Sequence, residues 1–265
     1  MYQFDYQTPK SAADVVAALK ADEDAKIVAG GMTLIPTLKQ RLAMPTTLID
    51  LRGIPELKGV REDGGALVIG AMTTHAEVWA DPTVKSKAPA LSFLAGKIGD
   101  AQVRNRGTIG GSIANADPAA DYPAAVLAMN ATIVTDSREI AADDMFTGLF
   151  ETALNEDEII TAIRFPLVKR AGYAKFRHPA SRYAVVGVMV AETDAGVRVG
   201  VTGAGPNAFR VPEMEQALSS NFSPDAVSGI SVAADDLNSD IHASADYRAH
   251  LVTVMAKRAV ETALG

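Results

Sequence analysis

Two pairs of adjacent glycines, Gly30-Gly31 and Gly110-Gly111, constrain this chain more than any other feature. A residue without a Cβ lets the backbone turn sharply and lets a ligand approach its N–H closely. The first pair follows the short apolar run Ile27-Val28-Ala29 and precedes Met32-Thr33-Leu34. The second lies in Gly107-Thr108-Ile109-Gly110-Gly111-Ser112 and runs on through Asn115, Asp117 and Pro118 to Asp121. Thr108, Ser112 and Asn115 add short hydrogen-bonding groups, and Asp117 and Asp121 offer carboxylates of the kind that accept from ribose hydroxyls. Alone, Gly30-Gly31 reads better as a structural turn. Together, each followed by a small hydroxyl residue (Thr33 and Ser112), the two pairs predict separate phosphate cradles, and hence a dinucleotide.

Neither pair has the Gly-x-Gly-x-x-Gly order of a Rossmann turn, and no Gly-Lys-Ser/Thr is present to make a P-loop. Gly203-Ala204-Gly205-Pro206 resembles such a turn, but Pro206 removes an N–H where a phosphate needs a donor, so this segment reads as structural.

The spacing of apolar residues predicts a helix capped by Ser11, a strand at 26–29, a helix from the first glycine turn through Leu42, and a strand at 48–51. That alternation makes a small α/β unit. Further strands are expected at 66–70, 132–135 and 159–165, with a capping box at Thr74-His75-Ala76-Glu77 and a helix through Leu91, Leu94 and Ile98. Trp79 reads as packing. After Pro166 come strands at 184–191 and 197–202 around an Asp194-Ala195-Gly196 turn, then an amphipathic final helix through Tyr247, Leu251, Met255 and Ala259. The organisation expected is a domain of residues 1–170, in lobes of about 1–55 and 56–170, and a second α+β domain of 171–265.

With 265 residues and 48% hydrophobic residues, the chain can bury two cores. A formal charge of -7 and the lack of a basic block exclude a nucleic-acid partner. No stretch is long and apolar enough for a membrane span, and the N-terminus lacks a signal-peptide pattern, so a cytoplasmic location is expected. His75, His178, His242 and His250 show no paired metal-ligand spacing, and no nucleophile–base set is recognisable, so neither catalytic nor metal-binding side chains are expected. His178 stands near Lys175, Arg177 and Arg182, a cluster that faces either an anion or water. The chain has no cysteine, which removes disulfides, thiol catalysis and iron–sulfur ligation.

The stretches Ala29-Gly30-Gly31-Met32-Thr33-Leu34-Ile35-Pro36 and Thr108-Ile109-Gly110-Gly111-Ser112 through Asp121 closely resemble the FAD-binding medium subunit of molybdenum hydroxylases. The nearest pattern is that of carbon monoxide dehydrogenase and the xanthine dehydrogenase family. The resemblance extends to Asn155-Glu156-Asp157-Glu158-Ile159-Ile160 and Tyr173-Ala174-Lys175-Phe176-Arg177. It implies an α+β fold: a two-lobed FAD-binding domain of the vanillyl-alcohol-oxidase type followed by a smaller C-terminal domain. By matching motifs, Ala29, Gly30, Gly31, Met32 and Thr33, with Thr108, Ile109, Gly110, Gly111 and Ser112, would wrap the FAD diphosphate. Asp121 would hold the ribose region, Ile160 would meet the adenine by its backbone, and Lys175 and Tyr183 would sit nearer the isoalloxazine. The chain has Ser112 where the family often has Asn, and Met32 where it often has a polar residue; both leave the backbone donors intact.

The resemblance also gives the missing cysteines a meaning. A flavin subunit without cluster ligands takes electrons from another chain: a small subunit with two [2Fe–2S] clusters, beside a large subunit holding the molybdenum cofactor, assembled as a dimer of heterotrimers. The flavin passes them to an external acceptor. Two other readings are a free-standing flavin-dependent oxidase or reductase, and a flavin-free scaffold subunit whose glycine turns are only structural.

Overall fold

The computed structural model describes all of residues 1–265. The first lobe runs β1 (Asp5–Gln7), α1 (Ala12–Ala21), β2 (Lys26–Val28), α2 (Leu34–Lys39) and β3 (Thr47–Asp50). Its three strands form a parallel sheet in the order β1-β3-β2. The Ser11 hydroxyl caps α1 by accepting from the Asp14 N–H at 3.1 Å. Helix α2 stops three residues short of the predicted end, and Pro36 falls in its first turn, where no N–H is missed.

The second lobe opens with the hairpin β4 (Val60–Asp63) and β5 (Ala66–Gly70). Six helices follow: α3 (His75–Ala80), α4 (Pro82–Lys87), α5 (Pro89–Lys97), α6 (Ala101–Arg104), α7 (Ile109–Asn115) and α8 (Tyr122–Ala128). Then come β6 (Thr132–Thr135), β7 (Glu139–Ala141), α9 (Ala142–Met145), the short hairpin β8 (Phe146–Gly148) and β9 (Glu151–Thr152), and β10 (Ile160–Pro166). Strands β4-β5-β10-β6-β7 pair antiparallel in that order. The Thr74-to-Glu77 capping box is complete at the start of α3, with the Thr74 N–H donating to Glu77 Oε2 at 2.8 Å.

The remainder is a meander of β11 (Arg170–Arg177), β12 (Ala184–Thr193), β13 (Gly196–Thr202) and β14 (Phe209–Arg210), then α10 (Pro212–Ser220) and the long α11 (Ala245–Leu264). Strand β11 escaped the sequence reading because Arg170, Lys175 and Arg177 break its apolar pattern. Strand β12 reads as an unbroken apolar run because both its faces are covered. Val186, Val188 and Val190, with Val197, Val199 and Val201 of β13, share a core with α10 and α11. Met189, Ala191 and Tyr173 belong instead to the core of the second lobe.

This C-terminal sheet is therefore clamped between two helices. A Cβ at Gly172 would lie 2.0 Å from the Ala259 carbonyl oxygen of α11, and one at Gly200 would lie 2.3 Å from the Ala124 carbonyl oxygen of α8. Across the seam, the Thr202 hydroxyl donates to the Ala120 carbonyl at 2.6 Å and the Arg198 Nε to the Leu127 carbonyl at 2.7 Å. The seam also buries an ion pair: Lys175 Nζ lies 2.8 Å from Asp121 Oδ1, which accepts from the Tyr173 hydroxyl at 2.5 Å. Burial pushes the Asp121 carboxyl upward, and Lys175 and Tyr173 pull against it.

Removing one partner of such a pair leaves a charge in low dielectric without compensation. Lys175→Met is expected to destabilise the fold by ~3–5 kcal/mol, read as a lower denaturant midpoint. Adding Asp121→Asn to that variant should recover most of the loss. A single variant as stable as the wild type would contradict the burial of the pair.

Candidate functional site

The loop after β2 and the start of α7 meet backbone to backbone. A Cβ at Gly30 would lie 2.1 Å from the Arg106 carbonyl oxygen and 2.7 Å from the Gly107 Cα. Gly107 is itself hemmed in, since a Cβ there would lie 2.6 Å from His75 Nε2. A short bridge between Thr74 and Thr108 locks the second loop, with the His75 N–H donating to the Gly107 carbonyl at 3.0 Å. These glycines are packing requirements as much as flexibility.

The two glycine turns present different chemistry. At the second, every first-turn amide is already taken: Ile109 N–H by the Thr73 carbonyl at 3.0 Å, Gly110 by Ala71 at 2.9 Å, Gly111 by the Thr108 hydroxyl at 3.1 Å and Ser112 by the Thr108 carbonyl at 3.0 Å. At the first, the N–H groups of Gly30, Gly31, Met32 and Thr33 donate to nothing in the protein. Gly31 has φ 71°, in the left-handed region. Successive free amides around a left-handed residue are a backbone arrangement suited to an anion. The two turns thus differ: the amides of the second are satisfied within the protein, and those of the first are free.

A cleft of about 730 Å³ opens beside this contact. Ala29 to Thr33, Thr108, Gly110, Gly111, Ser112, Asp121, Ile160 and Tyr183 all line it. Ile109 does not, because its side chain is fully buried in the core of the second lobe. Lys175 also lies outside the lining, held on Asp121 and on the Lys97 carbonyl at 3.1 Å. Asp121 reaches the cleft wall with both carboxylate oxygens occupied by Lys175. Asp117 is the freer carboxylate: only Oδ1 is engaged, accepting from the Ala119 N–H at 2.9 Å, and burial raises its pKa.

Phe150, Leu154, Ile159 and Ile160 make part of the cleft lining apolar. The loop leading there is fixed by Glu158, which Arg138 grips at 2.9 and 2.8 Å and the Asn155 N–H reaches at 3.0 Å. Those contacts bring the Glu158 carboxyl down to about 2. Another wall is the turn Ala180–Tyr183 between β11 and β12. The His178 N–H donates to the Tyr183 carbonyl at 2.8 Å, and the His178 and His242 rings meet at 3.2 Å, tying that turn to the segment before α11. Tyr183 is half exposed, and burial followed by the nearby Asp117 charge raises its phenol.

His75, Ile98 to Asp100, Val103, Phe150 and Leu154 line the cleft without having been read from the sequence. For His75 a signal existed, since the capping box fixes it on the first turn of α3, yet nothing local shows that it turns inward. Its Nδ1 is buried without a hydrogen-bond partner, and burial, then the Arg104 charge, lowers its pKa to about 4. No group of three or more His, Cys, Asp or Glu is placed to hold a metal.

Residues 2–168 match the family described as the FAD binding domain in molybdopterin dehydrogenase. The chain is 36% identical to the carbon monoxide dehydrogenase medium chain of Hydrogenophaga pseudoflava, over 98% of this chain and 97% of that one. It is 38% identical to the nicotine 6-hydroxylase medium subunit of Paenarthrobacter nicotinovorans, over 96% and 95% of the two chains. Among solved structures, carbon monoxide dehydrogenase from Hydrogenophaga pseudoflava superposes with a TM-score of 0.91 at 37% identity, covering 99% of this chain and 98% of the other.

The buried imidazole makes stability depend on acid. His75 stays neutral in the fold down to about 4, whereas the free side chain protonates near 6.5. Its contribution is therefore whole above the upper value and is lost progressively as pH falls toward the lower one, by about 3 kcal/mol in all. His75→Gln should flatten the dependence of unfolding free energy on pH across that window. An unchanged slope in this variant would place the titrating group elsewhere.

Proposed function

The chain belongs to the family of FAD-binding domains of molybdopterin dehydrogenases, and from that premise we propose that it takes electrons from [2Fe–2S] clusters on a partner chain and passes them through FAD in its cleft to an external acceptor. It is a subunit of an oxidoreductase, as are its medium-chain relatives. The observation that carries the reading is the run of free amides at Gly30, Gly31, Met32 and Thr33 on the wall of the cleft.

The residues present fit the cofactor. The free amides suit a diphosphate, with Ala29, Gly111 and Ser112 around them and Thr108 capping the helix that backs them. Asp117, with an oxygen to spare, takes the ribose role that Asp121 cannot fill while Lys175 occupies it. The apolar lining at Phe150, Leu154, Ile159 and Ile160 suits the adenine, and Tyr183 with its turn borders the flavin ring. FAD supplies the chemistry, an isoalloxazine that accepts and releases electrons. The protein excludes water, orients the ring and sets its surroundings; it moves no proton through a dedicated acid or base.

The chain has no cysteine among its 265 residues, so cluster ligands come from elsewhere. Under this reading the partners are a small iron–sulfur subunit and a large molybdenum-cofactor subunit, assembled as a dimer of heterotrimers. Substrate choice lies with the large subunit. Relatives named for carbon monoxide and for nicotine stand at similar identity to this chain, which accords with a substrate site outside it. Residues 1–170 act as the cofactor domain and 171–265 as the C-terminal domain that closes it. No helix is long and apolar enough to cross a membrane, and a cytoplasmic location belongs to the same proposal.

Gly31→Val forces a β-branched residue into the left-handed region and drives its side chain toward Ile35, 2.8 Å from where a Cβ would stand. The purified variant is expected to lack the visible flavin band and to stay colourless after added FAD, with native far-ultraviolet circular dichroism. Gly111→Val, whose Cβ would lie 2.9 Å from the capping Thr108 hydroxyl, should do the same by breaking the helix start. Normal flavin occupancy in both would sink the assignment of the diphosphate to this contact.

A further inference from the structure

The turn Ala180–Tyr183 makes one wall of the cleft from residues that are all exposed. Within it Arg182 holds φ 64°, in the left-handed region that a residue with a side chain seldom adopts. A turn of this kind keeps its shape through hydrogen bonds rather than burial, and a single ring supplies two of them. His178 Nδ1 accepts from the Ala180 N–H at 3.2 Å and from the Ser181 N–H at 3.1 Å. Nδ1 therefore carries a lone pair, and the proton of the neutral ring is on Nε2. From there it is donated to His242 Nδ1 at 3.2 Å, which leaves the proton of neutral His242 on its own Nε2.

This chain of contacts has no place for a further proton. On His178 it would sit on Nδ1, against two N–H donors; on His242 it would sit on Nδ1, against the Nε2–H of His178. Either charge breaks one of the contacts that hold the turn. The His242 end is firmly based: Asp240 accepts from the His242 N–H at 2.8 Å and the Ala243 N–H at 3.0 Å. Arg248 of α11 reaches Asp240 at 2.7 Å and donates to the Val185 and Gly203 carbonyls at 2.7 and 2.9 Å. Asp240 is thus spent on its neighbours, and no carboxylate forms an ion pair with either ring. Arg177 and Arg182 flank His178 in the chain, Tyr183 stands on the cleft side, and Tyr247 of α11 packs edge-on against Phe176; none of these gives a protonated ring a partner. A divalent metal, the other common use of two adjacent ring nitrogens, is disfavoured: His178 could offer Nε2 only by moving its proton to the occupied Nδ1, and no third ligand is placed beside the pair.

We propose that His178 and His242 are positioning residues for the cleft, a latch that holds the Ala180–Tyr183 turn only while both rings are neutral. The closed form binds fewer protons than the open one, so acid favours opening. Histidine changes charge between about pH 5 and pH 8, and with His242 exposed and His178 half-buried, bulk pH acts on the pair directly. The latch itself needs no ligand; its effect on the flavin rests on the function proposed above.

Amide hydrogen exchange of the full-length, flavin-loaded protein reads the latch at Ala180 and Ser181, after correction for the intrinsic dependence of exchange on pH. Protection there should fall ~10-fold from about pH 7.5 to about pH 5.5, and flavin release should quicken over the same range. His178→Asn with His242→Asn keeps an acceptor for the two N–H groups that does not titrate, so protection in the double variant should be independent of pH. His242→Lys fixes a positive charge against the His178 N–H, so protection should stay low and release fast at both ends of the range. Protection indifferent to pH in the wild type would overturn the latch. So would a dependence that survives the double substitution, which assigns it to His75 or Asp117 elsewhere on the cleft lining, or wild-type behaviour in His242→Lys. Protection that falls while flavin release stays constant removes the positioning role. If the protein holds no flavin yet its amides respond as expected, the proposed function fails and the latch stands; if it holds flavin and the amides do not respond, the latch fails alone.

Discussion

The constraint on which the cleft depends is the contact of Gly30 with the Arg106–Gly107 backbone. Two loops from different lobes approach until no room is left for a methyl group. That proximity places the free amides of Gly30 to Thr33 across from the start of α7, and it makes one cleft out of two separate folding units. Packing alone explains why Gly30 and Gly107 have no side chain.

Around that contact the division of labour is physical. The antiparallel sheet and α7 supply a rigid back wall whose amides are internally satisfied, so this wall keeps its shape with or without a ligand. The first turn is left unsatisfied on the cleft side, which is costly for buried polar groups but tolerable where solvent or a ligand has access. The helix from Tyr122 to Ala128 is buried along its whole length between the cofactor lobes and the C-terminal sheet. It begins at Asp121, so the motif that starts at the cleft ends in the hydrophobic seam.

Much of this was legible in the sequence where chemistry and spacing are local. Ser11, the Thr74-to-Glu77 box and the strands at Ala66–Gly70 and Thr132–Thr135 follow from capping and alternation over a few residues. The glycine pairs gave the location of the cleft for the same reason. What could not be read was which groups find one another over long separations. Asp121 reads from its neighbours as a ribose ligand, and its contacts with Lys175 and Tyr173, more than fifty positions away in the chain, show only in the fold. His75 gave no local sign of turning inward onto Gly107, and Gly110-Gly111 gave none that Ala71 and Thr73 would occupy the adjacent amides. Such preferences are settled by tertiary geometry, to which a window of neighbouring residues is blind.

The turn bearing Tyr183 hangs from a sheet pinned on both faces, and its base is stitched by His178 and His242. The aromatic wall of the cleft is thus mounted on the far half of the polypeptide, while the free amides belong to the near half. A redox potential set in such a cleft is a joint property of the two halves. A ligand spanning both walls therefore senses any displacement of one half against the other, including one that begins in the aliphatic layer behind the sheet.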